Sequence, residues 1–539
     1  MGALASRVLA RDRGEVLGAA LVAALGALLL VAVAPPAGDA PAHLYRTLLV
    51  QEGVHVWDNL WFGGQYPLAS YSLLYYLPAA LVGNEPLVVA AVVLSAALFA
   101  SLLVNEWGEE GRWPARAFAV LAWGPLFTGT YSYALGLAAL LGSLRALQAG
   151  RSWVAVGCAA LTLGFSPLAF VFLCLVLLAI VIARGRIGRR ALALGAGLGA
   201  LAALEVAALL LFRSGGTYPF PALELAAVLT ASTLGAALAL GTRRGHALAA
   251  FFGLWGLASL AVFLLPTPFG ENLARLRSLV FPLMLLTAIL ARFRPRWLAG
   301  VAVSFALGYN LVPYLVVLPQ RVDVRSAAET YWTPAVRFLN ERSTPDYRVE
   351  VVPTLDHWEA YWVPRAGFAL ARGWYRQLDI AQNPVFYREP LAAGAYRAWL
   401  RRMGVRYVLL PDVRLGPMGA EREANLLRSG RSGLVQRLQT KDWAIFELPG
   451  AAPILTGPGE ARLSALRHQR IAGWTAAPGR YRLRVHYMPY WRVRAGGVCL
   501  SRTADGMTAL QVRRPGRFLL ELPEGPASLV RSAGRNRIC

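Results

Sequence analysis

Between residues 16 and 318 the chain is mostly apolar runs of membrane-crossing length, separated by short polar segments. A bilayer core takes about 20 apolar residues in a helix, and backbone amides in hydrocarbon are satisfied only within helices or closed barrels. The runs lie at about 16–34, 86–104, 115–128, 130–148, 153–165, 168–183, 191–212, 222–241, 247–265, 276–291 and 297–318. They predict a polytopic α-helical membrane protein with about 11 transmembrane helices. A mean hydropathy of +0.46 and 56% hydrophobic residues exclude an ordinary soluble chain.

Arg7, Arg11 and Arg13 precede the first run, and Ala32-Val33-Ala34 has the small-x-small look of a cleavage site. The run is 19 residues long, against about 7–15 for a secretory signal, and Pro35 would follow the cut. It reads as an uncleaved first helix.

Arginine excess in the segments 149–152, 184–190, 242–246 and 292–296 places these with the N-terminus in the cytoplasm; the segment 105–116, with Glu106, Glu109 and Glu110, lacks it. The segments 35–69, 166–167, 213–221 and 266–278 then lie outside, and an odd span count leaves everything after Gln320 outside as well. The expected location is a bacterial plasma membrane, multi-pass, with the N-terminus cytoplasmic and the C-terminal region extracytoplasmic.

The formal charge is +24, almost all from arginine, since Lys441 is the only lysine. Much of it within the helical region lies in orientation-setting loops, which argues against nucleic acid as a partner. After Gln320, 34 Arg+Lys stand against 18 Asp+Glu, a surplus of 16. That surplus favours anionic lipid head groups or phosphate-linked substrates, or reflects arginine-rich codon usage. Of four cysteines, Cys158 and Cys174 lie in apolar runs; Cys499 and Cys539 can pair if the tail is outside the cytoplasm. No zinc spacing, phosphate-binding glycine-lysine loop or redox cysteine pair occurs.

Beyond Gln320 the apolar runs shorten. YWTPAVRFLNER predicts a helix from near Pro334, RVEVVP a strand, YRAWLRRMGVRYVLLPD a helix and strand turning at Gly404, and LVQRLQT with WAIFELP a strand pair. RYRLRVHYM, YWRVRAGGVCL, TALQVRR and RFLLELP then read as strands of a β-sandwich. The expected organisation is a transmembrane domain, 1–319, with outer loop 35–69, an extracytoplasmic α/β domain, 320–449, and a β-sandwich, 450–539.

The stretch Gly38–Pro67 follows the first apolar run and holds Asp39, His43, Glu52, His55 and Asp58. Such a cluster is either an active site at the membrane surface or an ordinary solvated loop. If Pro41 starts a helix, Asp39 caps it and His43 lies one turn in. The two can share a divalent metal such as Mg or Mn, or Asp39 can take a proton from a hydroxyl.

GDAPAHLYR followed by WDNLWFGGQYPLASYSLLYYLP resembles the first outer loop of GT-C membrane glycosyltransferases, and most nearly the bacterial membrane proteins labelled 6-pyruvoyl-tetrahydropterin synthase-related. GTYSYALGLAALLGSLRAL and LTLGFSPLAFVFL are similar to further segments of that group, with Ser166 where a His is expected. PTPFGENLARLRSLVFPL resembles its Gly-x-Asn-x-x-Arg-Leu loop. APGRYRLRVHYMPYWRVRAGG looks like the outer tail of YfhO-type envelope proteins, and MGVRYVLL like the strand before it. The resemblance implies a sugar donor on polyprenyl phosphate, an envelope glycan, lipid or protein acceptor, and Asp39 as catalytic residue. Arg275 and Arg277, in the outer loop at the membrane edge, either hold the donor phosphate through their guanidinium groups or form a solvated charge pair; Arg46, Asn272, Tyr66, His43, Glu52, His55 and Asp58 are further candidates to line a substrate site. Trp358, Trp362, Trp374 and Trp491 either stack on sugar rings or fill cores. Two other classes stay open: a transporter or flippase for a lipid-linked glycan, with Glu205 and Glu224 as in-span ionisable groups, and a non-catalytic envelope-assembly scaffold.

The orientation is directly measurable. A reporter that works only in the cytoplasm, fused after Cys539, is expected to be silent, and strong activity would require an even number of crossings.

Overall fold

The computed structural model describes residues 2–67, 71–185, 188–212, 216–242, 244–317, 324–388, 390–417, 419–522 and 537–539. The chain divides into two compact units. The first comprises 1–43, 71–210 and 217–323; the second comprises 44–70, 211–216 and 324–539. Where the sequence groups 35–69 with the apolar helices, the contacts group 44–70 with the C-terminal sheets.

Among the described residues the apolar runs fall on helix, the 115–128 run being divided between Arg112–Leu121 and Gly124–Thr128. Among the described residues, eight helical stretches have the length and composition to cross a membrane, and Ser152–Phe165 is a shorter apolar helix. One of the eight, Asn84–Thr128, is 45 residues long and turns at Gly108, whose φ is 62°. The pattern of exposure inverts that of a soluble protein. On Gly2–Val33 the buried positions Ala19, Ala23 and Ala27 repeat every four residues, while Leu17, Leu21, Leu25 and Leu28 are 57–70% exposed. An alanine stripe lets helices approach closely, and leucines on the outer face suit hydrocarbon. Gly136 against Ser166 and Ala169, and Gly256 against Ser232, make similar close approaches. This is a membrane-embedded helical protein with a C-terminal sheet region.

Ser166 has a local task. Its hydroxyl accepts from the Ala169 amide at 3.3 Å, capping the helix Pro167–Arg184, with Pro167 at the first helical position.

In the second unit, a four-stranded sheet runs in the order Arg348–Val351, Val405–Pro411, Trp443–Glu447, Val435–Gln439. The first pair is parallel and the rest antiparallel. Helix Ala393–Met403 ends at Gly404, whose φ of 71° turns the chain straight into its strand. The helix expected from near Pro334 instead starts at Glu329, with Pro334 inside it.

Among the described residues the tail strands form one seven-stranded sheet. TALQVRR and RFLLELP, expected as two strands, are one strand, Met507–Glu521. Arg492–Arg502 pairs along one edge of it. On the other edge Gly479–His486 pairs up to Val512, and Arg470–Thr475 takes over from Gly516. Leu463, Ile471, Leu483, Leu500, Leu510 and Phe518 all lie in one buried core, so the sheet folds over on itself. The hairpin Ala461–Arg467 with Arg470–Thr475 adds strands that the sequence patterns did not single out. Cys499 and Cys539 are joined in a disulfide, while Cys158 and Cys174 are free and half-buried.

A buried ion cluster ties the α/β region together. Arg372 donates to Glu350 and Glu423, and its guanidinium is 3.9 Å from Asp379. Tyr396 donates to Glu423 at 2.7 Å, and Tyr387 to Asp379 at 2.6 Å. Burial pushes Glu350 well above the ordinary carboxylate range; Arg372 opposes this, while Glu423 and Asp379 add to it. Burial likewise raises Glu423. The folded state therefore holds more protons here than the unfolded chain once pH exceeds 4.5, and this contribution to stability falls as pH rises. In thermal unfolding of the full-length protein between pH 5 and 8, Glu350→Gln is expected to lose less stability than wild type. Arg372→Met, which strands three buried carboxylates, is expected to cost about 3–5 kcal/mol. A steeper loss for Glu350→Gln would contradict this account.

Candidate functional site

In the first unit the site is built where the first apolar helix ends. Ala40–Gln51 begins the next helix, and Asp39 stands just before it. The Asp39 amide donates to the Thr128 carbonyl at 3.2 Å. Gly129 makes that approach possible. Its φ is 84°, and a Cβ there would lie 2.5 Å from the Asp39 nitrogen. The turn at Gly129 thus anchors the Asp39 backbone, a role visible in the sequence only as a glycine between two apolar runs.

The Asp39 carboxylate is 3.8 Å from the Arg275 guanidinium, and each side chain is 26% exposed. Arg275 lies on the short turn Gly270–Leu276 and also hydrogen-bonds Tyr71. At 3.8 Å the pair is a loose electrostatic contact rather than a tight hydrogen bond. A carboxylate and a guanidinium so placed offer a proton acceptor beside an anion-binding fork.

His43 has different partners. It is 1% exposed, and its Nδ1 is 3.0 Å from the Tyr76 hydroxyl. The rings of Tyr71, Tyr75, Tyr76 and Tyr131 surround it, with centroids 5.0–6.3 Å away. Among the described residues no group of three or more His, Cys, Asp or Glu is arranged to hold a metal ion. Magnesium and manganese take several oxygen ligands, so Asp39 with an enclosed imidazole does not fit them.

Arg277 is held 3.5 Å from Glu224, whose carboxylate also accepts from Tyr309 at 2.7 Å. Asn310 donates to the Arg277 carbonyl at 2.8 Å. Glu224 and Arg277 both lie in first helical turns, of Ala222–Leu240 and Arg277–Leu290. Asn272 is half-buried on the Gly270–Leu276 turn.

The other expected site residues lie in the second unit. Arg46 is buried and donates to the Tyr375 hydroxyl at 3.5 Å. His55 is exposed. Tyr66 pairs with Asp58 in a two-residue strand, and its side chain lies outside the described residues. Asp58 is fully buried and accepts from Tyr45 at 2.8 Å and from the Leu60 amide at 3.1 Å. Its other neighbour is His468, with Nδ1 2.8 Å from Oδ1. The Nε2 of the same ring is 3.1 Å from the half-exposed Glu52. His468 sits at the tip of the Ala461–Arg467 hairpin, and its carbonyl accepts from the Asn59 amide at 3.0 Å. No motif pointed to His468; its only signal was scarcity, as one of six histidines.

Trp57, Leu60, Trp61 and Phe62 are no more than 6% exposed, so this stretch is core rather than solvated loop. Trp358 and Trp491 are buried as well, at 3% and 2%, which removes them as sugar platforms. Trp362 and Trp374 are half-buried.

Burial opposes charge on His468, yet the hydrogen bond and charge of Asp58, with Glu52, raise its pKa above the ordinary 6.5. The folded state gains from the imidazolium, fully below pH 6.5, and loses that gain as pH rises through the raised value. Asp58→Asn is expected to cost about 1.5–3 kcal/mol at pH 6, the scale of a charged hydrogen bond. It is expected to cost less at pH 9, as read by thermal unfolding of the full-length protein; a loss that grows with pH would contradict the assignment. No family model matches the chain, and no curated protein matches it in sequence.

Proposed function

We propose that this is a membrane glycosyltransferase of the GT-C type, moving a sugar from a polyprenyl-phosphate donor to an envelope acceptor on the outer face. The observation that carries the reading is the Asp39–Arg275 pair, placed where the first apolar helix ends. In this reading the acceptor hydroxyl attacks the anomeric carbon and the bond to the donor phosphate oxygen breaks. The hydroxyl proton passes to Asp39, and the leaving phosphate is taken up by Arg275. An incoming phosphate competes with Asp39 for the guanidinium, which frees the carboxylate to act as base. Arg277 is committed to Glu224 and supports the loop rather than the donor.

The tail disulfide supports an extracytoplasmic C-terminal region, since such bonds persist in oxidising compartments. The eleven crossings expected from the sequence would leave the C-terminal region on that same side; eight helical stretches among the described residues have the length and composition to cross. Glu224 is paired at a helix start and Glu205 lies within Arg189–Leu211; these two carboxylates give little support to a transporter, which needs ionisable groups along a path through the bundle.

The assay is movement of sugar label from polyprenyl-phosphate hexose to acceptor in membranes that contain the full-length protein. Asp39→Asn keeps the shape and caps a helix as well as Asp, so normal expression is expected with transfer down by at least about 100-fold. Arg275→Ala is expected to weaken donor use far more than acceptor use. Near-normal transfer by folded Asp39→Asn protein would overturn the assignment.

A further inference from the structure

A second site stands in the four-stranded sheet, independent of the Asp39 reading. A cavity of about 550 Å³ opens on one face of the sheet beside the end of helix Ala420–Arg428. That volume suits a ligand of one or two rings.

Strand register explains how the cavity arises. Gln439, Ala444 and Leu410 lie in one row across three strands, and Gln436, Phe446 and Val408 lie in the next row on the same face. Residues three apart on one strand normally face opposite ways. A shift between Gln436 and Leu438 lets both glutamines share this face, the re-aiming for which bulges are known. Ala444 leaves the middle of the row empty where a larger side chain would fill it. Leu410, Leu427 and Phe446, all from the adjoining core, supply an apolar floor.

The polar lining is specific in kind. Gln436 donates to Gln439 at 2.9 Å, and Gln439 donates to the Thr440 carbonyl at 3.1 Å, which fixes both amides. Arg428 and Lys441 add two cations against one carboxylate, Asp412. Arg428 pairs with Glu421 at 3.8 Å between exposed side chains, a pairing that a ligand can replace. Lys441, the only lysine of the chain, lies in the turn between the two strands that carry the glutamines and Ala444.

We propose that this cavity binds a small hydroxylated ring bearing one anionic group, that is, a phosphorylated or carboxylated sugar. Arg428 and Lys441 hold the anion, Gln436 and Gln439 exchange hydrogen bonds with ring hydroxyls, and the apolar floor takes the C–H face.

The single lysine gives a clean probe. Reductive ¹³C-methylation of the full-length protein in micelles labels Lys441 and the N-terminal amine. Glucose 6-phosphate, glucuronate, glucose and inorganic phosphate are titrated separately and the Lys441 signal is followed. A saturable shift is expected with at least one charged sugar, at an affinity at least about tenfold above that for glucose or phosphate alone. Response to only one charged sugar identifies the anionic group. Arg428→Gln is expected to weaken that affinity at least about tenfold, and Gln436→Ala to weaken charged-sugar binding without changing the phosphate response. No saturable shift with either charged sugar, or equal affinity for phosphate or glucose alone, would overturn the proposal.

Discussion

An unsatisfied backbone amide costs several kcal/mol in hydrocarbon, and the first unit follows from avoiding that cost. Among the described residues the apolar runs are helical, so their backbone groups pair within each run. Side chains then sort by what each neighbour is. On Gly2–Val33 alanines occupy the buried face, where closeness replaces the hydrophobic effect, and leucines face outward. Several of the polar pairings sit at helix ends. Ser166 caps there, Glu224 and Arg277 pair there, and Asp39 meets Arg275 there. The site lies at such an end, where a carboxylate and a guanidinium can stand near one another and still reach solvent.

The second unit meets a different problem, charge inside a packed core. Burying an ion is costly unless its partner is buried with it. Arg372 answers with three carboxylates and two tyrosine hydroxyls beyond them. The carboxylates outnumber the cation, which is why burial forces protons onto the cluster. Asp58 answers with His468, Tyr45 and a backbone amide. Here the imidazole supplies the positive charge, so the hairpin that carries it is bound to the 57–64 stretch in a pH-dependent way.

These two solutions separate residues that look alike in sequence. Asp39 and Asp58 both sit in one polar stretch near histidines. Asp39 keeps a quarter of its surface and a loose cationic partner, which is what the proposed role as base would use. Asp58 keeps none and is saturated with donors, as a structural group requires. Gly129 makes the same point for backbone: its role comes from the approach of a chain segment distant in sequence.

What the sequence determined by itself was local and additive. Run length and apolarity are enough to specify helices in hydrocarbon, and alternation with glycine at 404 is enough to specify the strand turn after Ala393–Met403. The presence of Asp39 at the end of the first run, and of Arg275 in a polar loop, was equally legible. The tertiary structure alone decided the partners. Asp58 and His468 are 410 residues apart, and no spacing rule connects them. The expected pairing of Asp39 with His43 used a four-residue spacing, yet four tyrosines claim the imidazole and an arginine claims the carboxylate. Periodicity reports which face of an element is apolar. It carries no information on which distant side chain will complete a charge, because that is settled by packing.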